Sequence, residues 1–317
     1  MTSGDAAPPP AGRAPEWVAE HEITADAAAD LIHRQFPALR DAPIEPLATG
    51  WDNTVYLVAC RWVFRFPRRA VALPGVRREL AVLPRLAERL PLPIPAPELI
   101  GEPTPEYPWP FFAARLIPGR ELADADLPDA ERAGAGATLG RFLNVLHDPA
   151  LAAEVGGELP RDPMRRGDPG ARVPKARVRL ARLEQRGLWR PDPTVDRLLA
   201  GAERVGPPTA AVVVHGDLHS RHLLVAGDGG AAGVIDWGDL CLADPAVDLS
   251  LAYAAFAGAA RAALLSAYGP VDADRETRAR VLALDLCATL ADYAAAEGRS
   301  ALLRESLAGL RRAVAHD

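Results

Sequence analysis

The spacing of apolar residues changes period several times along this chain, and each change marks an element. From about Glu16 to Phe36, Ala27, Leu31, Ile32 and Phe36 recur at helical spacing, with Thr24 as a candidate N-cap. Pro37, Pro43 and Pro46 end that pattern. Residues 46–58 read as two strands around a turn at Gly50, and Trp62 to Pro67 as a third strand. Gly75 to Leu86 returns to helical spacing, with Leu80, Leu83 and Leu86 on the buried face and Pro84 as an expected kink. Leu90 to Pro110 holds too many prolines for a helix; extended edges and a turn at Gly101 are expected. Phe111 leads a strand that ends at Pro118-Gly119. Asp129 to His147 reads as a helix with Leu139, Phe142, Leu143 and Leu146 on one face. Leu159 to Arg190 is basic and irregular, becoming helical from about Lys175, and helices are expected again over 246–256, 258–268, 274–295 and 300–315.

Between these helices lies AVVVHGDLHSRHLLVAGDGGAAGVIDWGDLCLADPAVDL, residues 211–249. Val212, Val213 and Val214 form an apolar β-branched run that suits a buried strand. The run breaks at His215-Gly216-Asp217, and Leu223-Leu224-Val225 resumes a strand. Gly227-Asp228-Gly229-Gly230 is turn chemistry, and Val234-Ile235 returns into Asp236-Trp237-Gly238. Two aspartates therefore sit at the ends of neighbouring short strands, where a rigid scaffold aims both at one point. Phosphoryl transfer needs such a pair: one group to accept the hydroxyl proton, another to hold the metal of the triphosphate. Kinases carry them in H-R-D-L-x-x-x-N and D-F-G. Here Asp217 and Asp236 fill the two aspartate positions, and His222 stands where the metal-binding Asn belongs. The bland alternative is a hairpin whose aspartates cap turns; it has to satisfy three motifs in one order by chance.

Together HGDLHSRH, IDWGD and DPAVDL resemble the aminoglycoside phosphotransferase family, whose members phosphorylate hydroxyls of small molecules. His222 in place of Asn is similar to the macrolide phosphotransferase branch. The resemblance implies an α+β, bilobal protein-kinase-like fold, with a small mixed β-sheet/helix N-lobe and a larger, mostly helical C-lobe. Residues 16–117 would form the nucleotide-binding lobe, and 118–317 the lobe with the catalytic loop and acceptor-binding helices. ATP or GTP would be the donor with Mg²⁺, and the acceptor a small hydroxylated, cationic molecule such as a macrolide or an aminoglycoside. By the same resemblance Asp217 is the base, with His222 and Asp236 at the metal. Gly50 and Asn53 lie in the phosphate loop, and Arg65 replaces the kinase lysine with Glu79 as its partner. Arg115 and Ile117 contact the base through their backbone. His215 and Asp248, with Asp244, support the catalytic loop. Asp239, Asp285 and Asp292 are candidates for attracting the acceptor. Two departures stand out: arginine at 65, in a chain whose only lysine is Lys175, and histidine at 222.

Composition narrows the setting. The net charge of −6 disfavours nucleic acid and would help draw in a cation. No apolar run is long enough to span a bilayer. Residues 1–15 lack the pattern of a signal peptide and read as a disordered Pro/Ala tail. Cys60, Cys241 and Cys287 are odd in number and far apart, which fits a reducing cytoplasm better than a disulfide framework. A monomer or weak dimer is expected. Asp244 and Asp248 follow Asp236 too soon for a protein-kinase activation loop, so a diffusible acceptor is favoured. Three rivals remain: a metabolic sugar or amino-alcohol kinase, a nucleotide-binding regulator without turnover, and an RNA-binding module on the basic stretch with Arg165, Arg166 and Arg172.

Overall fold

The computed structural model describes residues 19–315 apart from 51 and 209. The tail expected over 1–15, and the first residues of the helix expected from Glu16, lie outside the described residues. In chain order the elements begin with α1 (Ala25–Gln35), β1 (Ile44–Thr49), β2 (Asn53–Val58), β3 (Trp62–Pro67), α2 (Leu73–Ala87), β4 (Leu99–Gly101), β5 (Phe111–Arg115) and β6 (Arg120–Glu121). Then come α3 (Ala133–Leu146), α4 (Pro149–Val155), α5 (Pro169–Gln185), α6 (Pro193–Ala202), β7 (Val212–Val214), β8 (Leu223–Val225), β9 (Ala231–Val234) and β10 (Cys241–Ala243). The chain closes with α7 (Ala246–Ala255), α8 (Gly258–Tyr268), α9 (Ala273–Ala296) and α10 (Ser300–Val314). This is the α+β kinase-like fold, a mixed sheet region followed by a helical one. The contacts of the described residues form two compact units: 19–74 with 99–113, and 75–98 with 114–315.

The first unit is built on a five-stranded sheet of order β1-β2-β3-β5-β4. Alternation decides its faces. Thr54, Tyr56 and Val58 of β2 and Phe64 and Phe66 of β3 point into the core, which leaves Asn53 and Arg65 on the alternate positions. The core is aromatic: Phe66 stacks on Phe111 with centroids 4.6 Å apart, and Phe64 lies beside both. Thr24 caps α1, its hydroxyl accepting from the Ala27 N–H at 3.2 Å. Gly101 ends β4 rather than making the expected turn. A Cβ there would meet the Phe111 ring at 2.1 Å, so the glycine makes room for an aromatic.

The second unit takes α2, because Val82, Leu83 and Leu86 are buried in its core. The buried face of α2 includes Glu79 where Leu80 was expected. Helix α5 starts earlier than Lys175: Asp168 caps it by accepting from Gly170 N–H at 2.8 Å, and Pro169 takes the first turn. Pro174 inside that helix hides it from a periodicity reading. Strand β10 pairs antiparallel with β7, Cys241 opposite Val214. No helix among the described residues is long and apolar enough to cross a membrane.

Helix α3 lies directly on α8 through Gly136 and Gly140, one turn apart. A Cβ on Gly136 would stand 2.6 Å from the Ala260 carbonyl oxygen, and one on Gly140 2.2 Å from that of Leu264. Helix propensity alone favours Ala over Gly by about 1 kcal/mol. Overpacking costs about 1–3 kcal/mol, and here the obstacle is backbone. Gly140→Ala is therefore expected to lower the denaturation midpoint. Gly134→Ala, on the same helix with no atom within 4 Å of the added carbon, is expected to raise it. A shift of the same sign in both variants contradicts this packing.

Candidate active site

The site starts where β7 ends. After Val214 the chain turns at Gly216, whose φ is +91°. A Cβ there would lie 2.2 Å from the Asp239 carbonyl oxygen, so only glycine fits. The turn is held from inside. Asp248, in the first turn of α7, is fully buried. It accepts from the His215 N–H at 2.7 Å and the Gly216 N–H at 3.1 Å. His147, at the end of α3, faces the same carboxylate at 3.3 Å. Asp244 does a different job: its carboxylate accepts from the N–H of Ala246, the first residue of α7, at 2.9 Å.

Register sets the second aspartate. Strands β8 and β9 pair with Leu223 opposite Val234. The next residues out, His222 and Ile235, are joined by Ile235 N–H donating to the His222 carbonyl at 2.9 Å. Asp236 follows immediately, in a left-handed conformation with φ +66°. For a non-glycine residue that is strained, and such strain concentrates at working sites. His222 Nε2 and Asp236 Oδ2 stand 3.4 Å apart. Trp237 is fully buried against His215 and Phe142, which fixes the far side of the turn.

Backbone contacts fix the imidazole tautomers. His222 Nδ1 lies 2.9 Å from the Asp217 carbonyl, so it carries a proton there, and Nε2 faces Asp236 Oδ2. His215 donates through Nε2 to the Ile235 carbonyl at 2.9 Å and accepts the Asp217 N–H at Nδ1. Burial pushes His215 down to about 4, with Asp248 opposing, so it is neutral. Burial also holds His219 well below the usual histidine range. His219 Nδ1 accepts from Arg221 N–H, which puts its proton on Nε2, 3.7 Å from Asp217 Oδ2. Asp217, His219 and His222 donor atoms all lie within 4.8 Å of one another. Of the three, His222 also has a second carboxylate, Asp236, beside its Nε2.

These donors suit a divalent cation. Adjacent ligands about 2.1 Å from an octahedral ion are about 3.0 Å apart, close to the 3.4 Å between His222 Nε2 and Asp236 Oδ2. A mixed imidazole–carboxylate pair accommodates Mn²⁺ as readily as Mg²⁺.

Asp217 itself has one oxygen occupied. Arg166 donates to its Oδ1 at 2.9 Å and to Asp239 Oδ2 at 2.8 Å. A quarter of the Asp217 side chain is still exposed. Arg166 carries no motif to mark it, and a composition reading groups it with Arg165 and Arg172 as a solvated or RNA-facing cluster. Its role needs contacts 51 and 73 residues away, which no local signal encodes.

The remaining candidates make contacts within their own units. Gly50 N–H donates to the Asn53 carbonyl at 2.9 Å, closing the loop between β1 and β2, and Arg68 ties the Gly50 carbonyl at 2.8 Å. The Asn53 Oδ1 is buried with no hydrogen-bond partner, unmet capacity of the kind a ligand-facing amide has. Arg65 lies over the Phe112 ring at 5.7 Å. Glu79 is buried in the second unit beside Gly238, and its neighbour Arg78 donates to the Gly238 carbonyl at 2.8 Å. Arg115 pairs with Glu98 at 2.8 Å, and the Ile117 side chain fills the space over Gly233. Asp285 and Asp292 do not form an acidic acceptor face. Asp285 is fully buried between Arg172 and Arg179, and Asp292 is engaged by Arg182 and Arg186. A buried, doubly paired carboxylate offers no field to a cation outside.

The sequence profile of the phosphotransferase enzyme family matches residues 43–284. Comparison with curated proteins returns no match. Among solved structures, wild-type aminoglycoside 2'-phosphotransferase-IIIa with GDP is similar at TM-score 0.63 and 22% identity, over 92% of this chain and 99% of that one. Macrolide 2'-phosphotransferase MphH from Brachybacterium faecium, as apoenzyme, is similar at 0.56 and 24%, over 90% and 97%. APH(2")-IIa in a ternary complex with streptomycin and ATP is similar at 0.56 and 17%, over 90% and 99%. At these identities the likeness is one of fold.

Burial pushes the Asp217 carboxyl up to about 6, and Arg166 pulls against that rise. Above that value the group is charged and able to take a proton; below it the group is spent. A ¹³C NMR titration of the metal-free protein, with Asp217→Asn to identify the resonance, is expected to give a midpoint near 6. A midpoint near the ordinary aspartate value of about 3.9 contradicts the environment described.

Proposed function

Because the chain belongs to the phosphotransferase enzyme family, we propose that it moves the γ-phosphate of ATP or GTP to a hydroxyl of an antibiotic, a macrolide or an aminoglycoside. The observation that carries this is the pair of aspartates on braced turns, linked by His222, which holds the Asp217 carbonyl with one nitrogen and faces Asp236 with the other. In this reading Asp217 orients the acceptor hydroxyl and takes its proton. Asp236 and His222 hold Mg²⁺, which when bound neutralises charge on the β- and γ-phosphates. Arg65, with Glu79 as its partner, grips the α- and β-phosphates by a planar fork where kinases use a lysine. Gly50 and Asn53 shape the loop over them, and backbone groups of Arg115 and Ile117 meet the base. His215 and Asp248 support the catalytic turn. Residues 16–117 serve the nucleotide and 118–317 the chemistry and the acceptor, in a cytoplasmic setting. Asp239 is the acid left near the base, and its charge is already shared with Arg166.

Relatives of fold that carry GDP, ATP, streptomycin or a macrolide name support both nucleotides and both acceptor classes equally. The test is transfer of labelled phosphate from ATP and from GTP, with Mg²⁺, to erythromycin, kanamycin, streptomycin and glucose. Transfer to an antibiotic is expected, and Asp217→Ala is expected to lose it by roughly 10²–10⁴-fold while keeping nucleotide-induced thermal stabilisation. Transfer to glucose alone moves the reading to a metabolic kinase. Stabilisation by nucleotide with no transfer to any acceptor contradicts it.

A further inference from the structure

Arg166 belongs to no motif, yet its guanidinium reaches two carboxylates of the site, Asp217 Oδ1 at 2.9 Å and Asp239 Oδ2 at 2.8 Å. We propose that Arg166 is a positioning residue for phosphoryl transfer, fixing one oxygen of Asp217 so that the other is aimed at the acceptor hydroxyl. The proposal rests on the phosphotransferase reading above.

The arginine is held by a built loop. The Asp162 carboxylate accepts from the backbone N–H of Arg166 at 2.8 Å and of Gly167 at 2.9 Å. Asp162 N–H donates to the Leu242 carbonyl at 2.9 Å, and Leu242 N–H to the Pro160 carbonyl at 2.8 Å. Residues 160–167 are thereby tied to β10, the strand that follows Asp239. Asp162 and Arg165 both take left-handed backbone, φ +24° and +49°. Non-glycine residues keep that conformation only where the surroundings over-determine it. The Arg166 side chain is 12% exposed, against 69% for Arg165, which pairs locally with Asp168.

The geometry has a chemical consequence. A planar fork can hold carboxylates on two separate turns at once; a lysine ammonium is a point charge without that reach. With Oδ1 engaged, Asp217 Oδ2 faces His219 Nε2 at 3.7 Å, beyond hydrogen-bond length. Oδ2 is the open oxygen. In the transfer step the acceptor O–H proton passes to Oδ2 as the acceptor oxygen bonds to the γ-phosphorus. The bond from that phosphorus to the β–γ bridging oxygen breaks, and its electrons leave with the nucleoside diphosphate.

Transfer to erythromycin and kanamycin, and hydrolysis of ATP and GTP by water, would be measured on wild type, Arg166→Gln, Arg166→Lys, Asp239→Asn, the Arg166→Gln/Asp239→Asn double variant and Asp217→Asn. For Arg166→Gln kcat is expected to fall about 100-fold, the scale of a misplaced reacting group, with the nucleotide KM unchanged. Arg166→Lys should recover part of that loss. Asp239→Asn should cost less than Arg166→Gln and add nothing in its background. A kcat of Arg166→Gln equal to wild type, with Asp217→Asn inactive, overturns the proposal and leaves the parent reading standing. Should Arg166→Gln fail to fold, Arg166→Lys decides: full activity overturns the proposal. If wild type phosphorylates neither antibiotic but hydrolyses nucleotide, and both Arg166→Gln and Asp217→Asn lose that hydrolysis, Arg166 keeps its role and the antibiotic reading falls. No turnover of any kind overturns both.

Discussion

The site depends on one buried carboxylate. Asp248 has no exposed surface and spends its two oxygens on consecutive amides, those of His215 and Gly216. Removing a charge from water is costly unless hydrogen bonds replace the lost hydration. Two backbone donors, the His147 imidazole and a place in the first turn of α7 supply that compensation. What this achieves is rigidity at a position that has none of its own. A three-residue strand ends, glycine turns the chain, and the next side chain is Asp217. Without the brace the turn would present two unpaired buried N–H groups, and Asp217 would lose its aim. The brace also ties the turn to the helical core, since Asp248 comes from α7 and His147 from α3.

The second aspartate is aimed by different means. Antiparallel pairing of β8 with β9 puts His222 and Ile235 opposite each other, so Asp236 emerges one residue past the pair. Its left-handed backbone turns the carboxylate toward His222 Nε2. One imidazole then serves both halves of the site, because its other nitrogen is committed to the Asp217 carbonyl. Strand register, strain and tautomer act together here, and the departure from asparagine at 222 makes physical sense within that set. Histidine turns one ring nitrogen toward Asp236 and a fixed proton toward the loop.

Much of this was legible in the chain. HGDLHSRH and IDWGD encode their own geometry, because strand, tight turn and strand follow within a few residues and each turn residue has a local reason. The same holds for Thr24, whose capping role needs only its own helix. What stayed hidden depends on distant partners. Asp285 and Asp292 share a helix and look like an acidic face. The arginines that consume them, Arg172, Arg179, Arg182 and Arg186, come from α5 and the residue after it, a hundred residues earlier. Gly101 looks like a turn residue, and only the Phe111 ring explains it. Arg166 is one arginine in a basic stretch until Asp162 and β10 fix where it points.

The central claim is that Asp236 and His222 form a metal position served by the turn that carries Asp217. Its most direct measurement is anomalous scattering from Mn²⁺ in crystals grown with a non-hydrolysable GTP or ATP analogue. The account predicts a peak in bonding contact with an Asp236 carboxylate oxygen and His222 Nε2, with the Arg166–Asp217 pair intact beside it. A metal–nucleotide complex bound elsewhere, with Asp236 and His222 turned away from it, would contradict the account.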